Sequence, residues 1–277
     1  MKLHEKLLLY KRTDFPIFDK LLPINGGGMK IIVCVSHVPD TATKITIGAD
    51  GKAIDENGVT FVVNPYDEYA IEEALKTKES LGTGEVVAVS VGKESNKETI
   101  KKALAMGVDR GILLKDENPR DSLAVAKALA EAIKEEGAEL VFFGKQSVDY
   151  DNSVVGQMTA ELLGYNCVSV VVGFKLDGTK ITAEREIEGG REVLETSLPA
   201  VITAQKGLNE PRYASLKGIM AAKKKPIDEK AAAAADNYLQ VVQMKRPAAK
   251  QAGKIIGSDA SAVPELVRLL REEAKVI

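Results

Sequence analysis

The sequence predicts an α/β protein with a doubly wound, mostly parallel sheet, an antiparallel extension and a C-terminal arm. Three observations predict it. Short continuous apolar runs, such as Lys30–Val35 and Glu85–Val91, have the composition of strands buried on both faces. Stretches of helical period separate these runs, the alternation expected of a parallel sheet with crossover helices. After Val168 the pattern changes to consecutive strands joined by Asp177-Gly178 and Gly189-Gly190, both tight-turn signals.

Taken in order, Lys30–Val35 is the first core strand, and Asp50-Gly51 marks a hairpin turn in the loop that follows. Val59–Val63 continues extended up to Asn64-Pro65, and Pro65 opens a helix over Tyr66–Ser80, since proline suits a first helical turn. Tyr69, Ala70, Ala74 and Leu75 give that helix its apolar face. Glu85–Val91 is the second core strand, Lys97–Met106 a helix, Gly111–Leu114 a strand, Ser122–Lys134 a helix, Leu140–Phe143 a strand and Val154–Leu163 a helix. Then come strands over Val168–Phe174, Lys180–Ile187, Arg191–Thr196 and Ala200–Ala204, read together as the antiparallel extension. Past Gly207 the chain is less globular, and it ends in an amphipathic helix over Ala262–Ala274. Val263, Leu266, Val267 and Leu270 share one face of that helix, with Ser261 as its cap.

Composition excludes several classes. Of 277 residues, 45% are apolar, enough for a core, and a formal charge of −2 gives no electrostatic basis for nucleic-acid binding. Cys34 and Cys167 both lie in apolar runs and read as buried, reduced thiols of a cytoplasmic protein. Two histidines and no Cys/His cluster argue against zinc. No run reaches the roughly 18 apolar residues of a membrane span, so no membrane insertion is expected. Residues 1–28 do not match the rest: they end in Asn25-Gly26-Gly27-Gly28, and Met29 opens a clean strand. A purine-rich ribosome-binding site read in frame would give such a glycine run. The segment is read as a non-native or disordered extension.

Ligands of doubly wound sheets sit beyond the carboxyl ends of the strands, where the strand order reverses. The segment richest in such chemistry is Gly144-Lys145-Gln146-Ser147-Val148-Asp149-Tyr150-Asp151-Asn152-Ser153-Val154-Val155-Gly156-Gln157, which leaves a strand and enters a helix. Amides at a helix N-terminus carry partial positive charge and can hold a phosphate without arginine. The alternative is an ordinary βα loop capped by Asp151 or Asn152. Neither a P-loop nor a GxGxxG follows a strand, so the usual kinase and dehydrogenase fingerprints are missing.

This loop resembles the nucleotide loop of electron transfer flavoprotein beta subunits. Ile181–Thr203, an acidic Gly-Gly hairpin leading to a Leu-Pro strand, is similar to that family's signature. Gly207–Ile227 and Ala103–Leu114 also resemble its blocks, in the right order. The resemblance implies a Rossmann-like, adenine-nucleotide-binding fold. It implies a pocket lined by Cys34, Asn64, Pro65, Tyr66, Asp67, Val91 and Gln146, Ser147, Val148, Asp149, Tyr150, Asp151, Asn152, Ser153, Val154, Val155, Gly156 and Gln157, with Tyr66 near a partner's flavin. It further implies AMP in that pocket, FAD held mostly by an alpha subunit in a heterodimer, and no catalytic residue, since the flavin carries the redox chemistry. Electrons would arrive from acyl-CoA or related flavin dehydrogenases, as in fatty acid β-oxidation, and leave toward a quinone oxidoreductase. Leu208, Asn209, Glu210, Pro211, Arg212 and Tyr213 are expected to dock the dehydrogenase, with Leu208 as the anchor. Tyr150 and Gln157 favour the AMP branch over flavin-bifurcating relatives that hold a second FAD and oxidise NADH. A universal-stress-type nucleotide-binding protein would explain the sheet but not the Leu208–Tyr213 block. An ATP-dependent ligase or hydrolase of the same superfamily would need a glycine-rich loop where Ser36-His37-Val38-Pro39-Asp40 stands. The expected organisation is extension 1–28, nucleotide-binding domain 29–225 and arm 226–277 docking on the alpha subunit.

Overall fold

A computed structural model describes residues 28–249 and 252–277, so the expectation for the N-terminal extension falls almost wholly outside the described residues. The chain forms two units, one of residues 28–45 and 56–240, the other of residues 46–55 and 241–277.

The first unit is built on strand β1 (Lys30–Cys34), followed by a small antiparallel pair, β2 (His37–Pro39) and β3 (Phe61–Val63). Helix α1 (Pro65–Leu81) leads to β4 (Glu85–Gly92), α2 (Asn96–Met106) to β5 (Arg110–Lys115), and α3 (Ser122–Glu136) to β6 (Leu140–Gly144). Helix α4 (Val155–Leu163) precedes β7 (Asn166–Asp177), β8 (Lys180–Ile187), β9 (Gly190–Ser197) and β10 (Ala200–Ala204). A short helix α5 (Leu216–Ala222) and strand β11 (Ile227–Ala231) complete the unit.

Among the described residues nine strands form one sheet in the order β11-β5-β4-β1-β6-β10-β7-β8-β9. From β1 the chain winds outward through β4 and β5, then returns to the other side of β1 to place β6, all in parallel. The order therefore reverses between β1 and β6, and the carboxyl ends of those strands form the crevice where such folds bind ligands. Alternation along β1 explains its continuous apolar run. Ile31, Val33 and Val35 pack into a core layer with α1 and α2, while Ile32 and Cys34 pack into the opposite layer with α3 and α4.

Three expectations need correction. Strand β10 is not part of the antiparallel extension: it lies between β6 and β7 and is parallel to both. All five of its residues are buried, the mark of a strand covered on both faces. Only β7, β8 and β9 form the antiparallel meander. Nor does the arm begin at 226, because Ile227–Ala231 pairs with β5 as an edge strand. Beyond it, Asn237 Nδ2 donates to the Pro119 carbonyl at 2.9 Å, and the Leu239 amide donates to Asp121 at 3.0 Å, fixing residues 237–239 to the start of α3. Third, Cys167 is exposed, although Cys34 is buried as expected.

In the second unit, Ile47 and Ile54 form an isolated antiparallel bridge around the Asp50-Gly51 turn. A 3₁₀ turn (Ala260–Ala262) leads into α6 (Val263–Glu272). Asp259 caps the 3₁₀ turn, its side chain accepting from the Ser261 amide, while Ala262 precedes α6 without a side-chain cap, so Ser261 does not cap that helix. Leu269 is buried, but Val263, Leu266 and Val267 remain exposed, so most of the apolar stripe of α6 has no cover.

Candidate functional site

The candidate site lies at the reversal point between β1 and β6. Cys34 ends β1, Asn64 precedes the first turn of α1, and the loop after β6 crosses between them. The buried side chain of Asn64 joins these parts. Its Nδ2 donates to the Gln146 carbonyl at 2.8 Å, and its Oδ1 accepts from the Val148 amide at 3.2 Å. Asp67, one turn further on, accepts from the amides of Ser36 at 2.7 Å and Gly144 at 3.0 Å, and from Asn64 Nδ2 at 2.9 Å. A Cβ at residue 144 would overlap the Asp67 carboxylate and approach Tyr66 Cβ within 2.7 Å, so the strand can pass this close only as glycine.

The loop itself is held open and polar. Asp151 and Ser153 both adopt positive φ of 53°, and Gln146 Nε2 donates to Asp151 Oδ1 at 2.6 Å. Asn152 reaches away to Ser122 Oγ at the start of α3, 3.0 Å distant. Neither Asp151 nor Asn152 therefore caps α4, and no side chain accepts from its first turn. The amides of Val155, Gly156 and Gln157 form an uncapped helix start beside the crevice, and the buried Gln157 Oε1 also lacks a hydrogen-bond partner. Gly156 lets the helix lie against Phe143 and Thr203, because a Cβ there would come within 2.7 Å of the threonine methyl. This arrangement can receive a phosphate on backbone amides, with the orphaned amide oxygen available for a ligand donor.

The remaining expected residues fall as follows. Pro65 is the exposed first residue of α1, and Tyr66 is half-buried. Val91 lies on β4, two residues past Val89, the partner of Cys34, so it belongs to the same end of the sheet. Ser147 and Val154 are half-buried, whereas Asp149 and Tyr150 are exposed, Tyr150 to 68%. Burial, with a smaller contribution from Asp67, pushes the Cys34 thiol well above its ordinary range, so it stays protonated and is a wall rather than a nucleophile. Lys145, not among the expected pocket residues, joins the site: its ammonium sits 5.1 Å from the centroid of the Tyr66 ring. Ser36 also belongs to the site: its amide donates to Asp67 at 2.7 Å, a contact with no sequence signal because any residue but proline could make it, and its side chain adds a further hydrogen bond to the same carboxylate.

The expected docking loop is reassigned in part. Leu208 is only 9% exposed and belongs to the core layer under α1, so it is not an anchor presented to a partner. Asn209 Nδ2 donates to the Tyr69 carbonyl at 3.0 Å and to Glu73 Oε2 at 2.8 Å. The guanidinium of Arg212 forks onto Glu72 and Glu79, with Nε to Glu72 Oε2 at 2.8 Å and Nη1 to Glu79 Oε1 at 2.6 Å. These three residues fasten the segment to α1, while Pro211 is half-buried and Glu210 and Tyr213 face solvent. Immediately beyond, Leu216, Ile219 and Met220 on α5 are exposed to 82%, 44% and 59%. Helix α5 presents them from a firm seat: Lys225 donates to the carbonyls of Leu104 and Val108 at 3.0 and 2.6 Å, and Gly218 lets α5 close onto Ala105.

Among the described residues no helix is long and apolar enough to cross a membrane. The profile of the electron transfer flavoprotein domain matches residues 52–235, well over half of the chain. The electron transfer flavoprotein subunit beta of Syntrophomonas wolfei is 42% identical over 249 residues, covering 90% of this chain and 98% of that protein. The subunit of the same name from Bacillus subtilis is 40% identical over 260 residues, covering 90% and 100%. That of Mus musculus is 38% identical over 256 residues, covering 90% and 99%. Alignment at this level along nearly the full length of each relative, on a sheet whose reversal point carries the expected loop, places the chain in the electron transfer flavoprotein beta-subunit family.

Proposed function

We propose that this chain is the beta subunit of a heterodimeric electron transfer flavoprotein. It acts as an electron carrier subunit rather than an enzyme with its own catalytic groups. It takes electrons from acyl-CoA or related flavin dehydrogenases and passes them toward an electron transfer flavoprotein–quinone oxidoreductase. In this reading AMP occupies the crevice formed by Cys34, Asn64–Asp67, Val91 and Gln146–Gln157, and the chain completes the FAD site of an alpha subunit. The observation that carries the nucleotide assignment is the uncapped start of α4 over an open loop, where two candidate caps are engaged elsewhere.

When bound, FAD supplies the one- and two-electron chemistry. The work of this chain is positional. The α4 amides hold a phosphate over a polar floor. Tyr66 and Lys145 form an aromatic-cation wall beside it. The face offered to a dehydrogenase is the exposed apolar group Tyr213, Leu216 and Met220, which supersedes Leu208 as the docking anchor. A carrier must dock and leave quickly, so a small apolar patch suits the task better than a large interface.

The test is to express the chain alone and together with an alpha subunit. The chain alone comes out colourless and the heterodimer yellow. Boiling the heterodimer releases one FAD and one AMP. Release of two FAD and no AMP instead assigns the crevice to a second flavin and overturns the AMP reading.

A further inference from the structure

Asp67 carries a charge that the nucleotide reading does not use. The side chain is only 4% exposed, and both oxygens are taken up inside the protein. Oδ2 accepts from the Ser36 amide, and Oδ1 accepts from Asn64 Nδ2 and the Gly144 amide. Asn64, with no exposed surface, passes the linkage on to the Gln146 carbonyl and the Val148 amide. One carboxylate thus ties together the ends of β1 and β6, the first turn of α1 and two points of the loop.

We propose that Asp67 is the positioning residue of the nucleotide loop: its carboxylate, turned inward and off the ligand, sets through Asn64 and Gly144 the backbone on which the phosphate is received. The inference rests on the nucleotide reading of that loop.

The donors around Asp67 match one protonation state. An ionised carboxylate accepts from all three N–H groups, and a further hydrogen bond from the Ser36 side chain favours the same state; a protonated one must aim its own O–H among them and gives up an acceptor position. The groups that face it do little to hold the charge. The Cys34 thiol on β1 is the titratable group that interacts with it; Glu68, next to it on α1, is exposed and interacts with Lys102, and the ammonium of Lys145 after β6 is engaged with the Tyr66 ring. Strand β10 carries no titratable side chain. Among the described residues no ammonium or guanidinium forms an ion pair with Asp67. Burial outweighs the hydrogen bonds from Ser36, Asn64 and Gly144, and raises the carboxyl to about 7. The fastening is complete when Asp67 is ionised and opens by proton uptake just below neutral pH.

The experiment measures AMP affinity of the heterodimer, wild type and Asp67→Asn, at pH 6, 7 and 8, together with amide hydrogen exchange of residues 144–153 without AMP. Asparagine keeps the shape but cannot accept from all three donors. The phosphate of AMP titrates near pH 6, so the quotient of variant and wild-type dissociation constants is read, in which that titration cancels. The expected quotient is at least about tenfold at pH 8 and shrinks toward unity by pH 6, as the wild type itself takes up a proton. In the variant the loop amides exchange faster at pH 8, while those of Ile31–Val33 keep their protection. A quotient near one at every pH, with unchanged loop exchange, overturns the proposal. If wild-type protein binds no AMP, the nucleotide reading fails by itself and loop exchange decides: faster exchange in the variant supports a positioning role, equal exchange overturns it. If Asp67→Asn does not fold, wild-type loop exchange decides. Protection lost between pH 8 and 6, after correction for intrinsic exchange, supports the proposal, and protection constant across that range overturns it.

Discussion

Leu208 and Leu216 stand eight positions apart and have opposite fates, which two substitutions can separate. Leu208 fills the core layer beneath α1. Leu208→Ala should therefore cost about 2–5 kcal/mol of stability, read as a fall in melting temperature, with dehydrogenase-coupled electron transfer intact in the folded fraction. Leu216 is 82% exposed and should behave in reverse. Leu216→Ala should leave the melting temperature alone and weaken docking by roughly ten- to a hundredfold, the equivalent of the 1.5–3 kcal/mol gained on burying a leucine. Equal coupled rates for Leu216→Ala and wild type would remove α5 from the docking surface. Leu208 sits among Gly207, Asn209 and Pro211, which signal a loop. A loop residue can still turn inward, and neither periodicity nor composition reports that over a single position. Gly144 was legible as a site of close approach, but not what it approaches.

At the scale of elements, one ion network binds the amino ends of β1 and β5 to the end of α3. Arg110 meets Glu85 and Glu136, and Lys30 also meets Glu136, at 3.0 Å. Burial alone would raise the Glu136 carboxyl, but the hydrogen bonds from Arg110 and Lys30 outweigh it and hold it at about 2, against an ordinary 4.5. A carboxylate whose folded value is lowered contributes stability above its unfolded value and loses it as pH falls toward the folded one. Wild-type stability should thus decline between about pH 5 and pH 2 more steeply than that of Glu136→Gln, as chemical denaturation at each pH will show. Parallel slopes for the two proteins would mean that the network is too solvated to matter. Helices α1 to α4 and α6 and the buried strands β1, β4, β5, β6 and β10 were legible within a residue or two because amphipathic period and continuous apolar runs are local signals, whereas α5, two turns long, was not. The place of β10 was not, since adjacency in sequence to β9 suggested a meander. Its AVITA run, apolar but for Thr203, was the clue to a central position. Strand β11, with the polar sequence IDEKA, gave no apolar signal because an edge strand needs little.

On the scale of the whole molecule, the second unit is small and ends in a helix whose Val263, Leu266 and Val267 are exposed. Removing residues 241–277 should leave the first unit folded, with an unchanged core melting transition, and should weaken assembly with an alpha subunit, measured by co-purification and sedimentation. Unfolding of the truncated chain would show that the arm belongs to the core. Fold class and family were legible from the chain because four blocks recur in order; the start of the arm was not, since the polar segment after Lys225 hides both an edge strand and a tether. Finally, helix α1 carries at its first turn the Asn64 and Asp67 that fix the loop, and further along it the Glu72, Glu73 and Glu79 that hold the docking segment. Both attachments are registered on one rigid rod, so its length works as a gauge. An extra residue between Asp67 and Glu72 would turn the second set by about 100° and advance it by about 1.5 Å, and no local repair could restore both. Across evolution α1 should thus accept changes of side chain freely on its exposed face and insertions not at all.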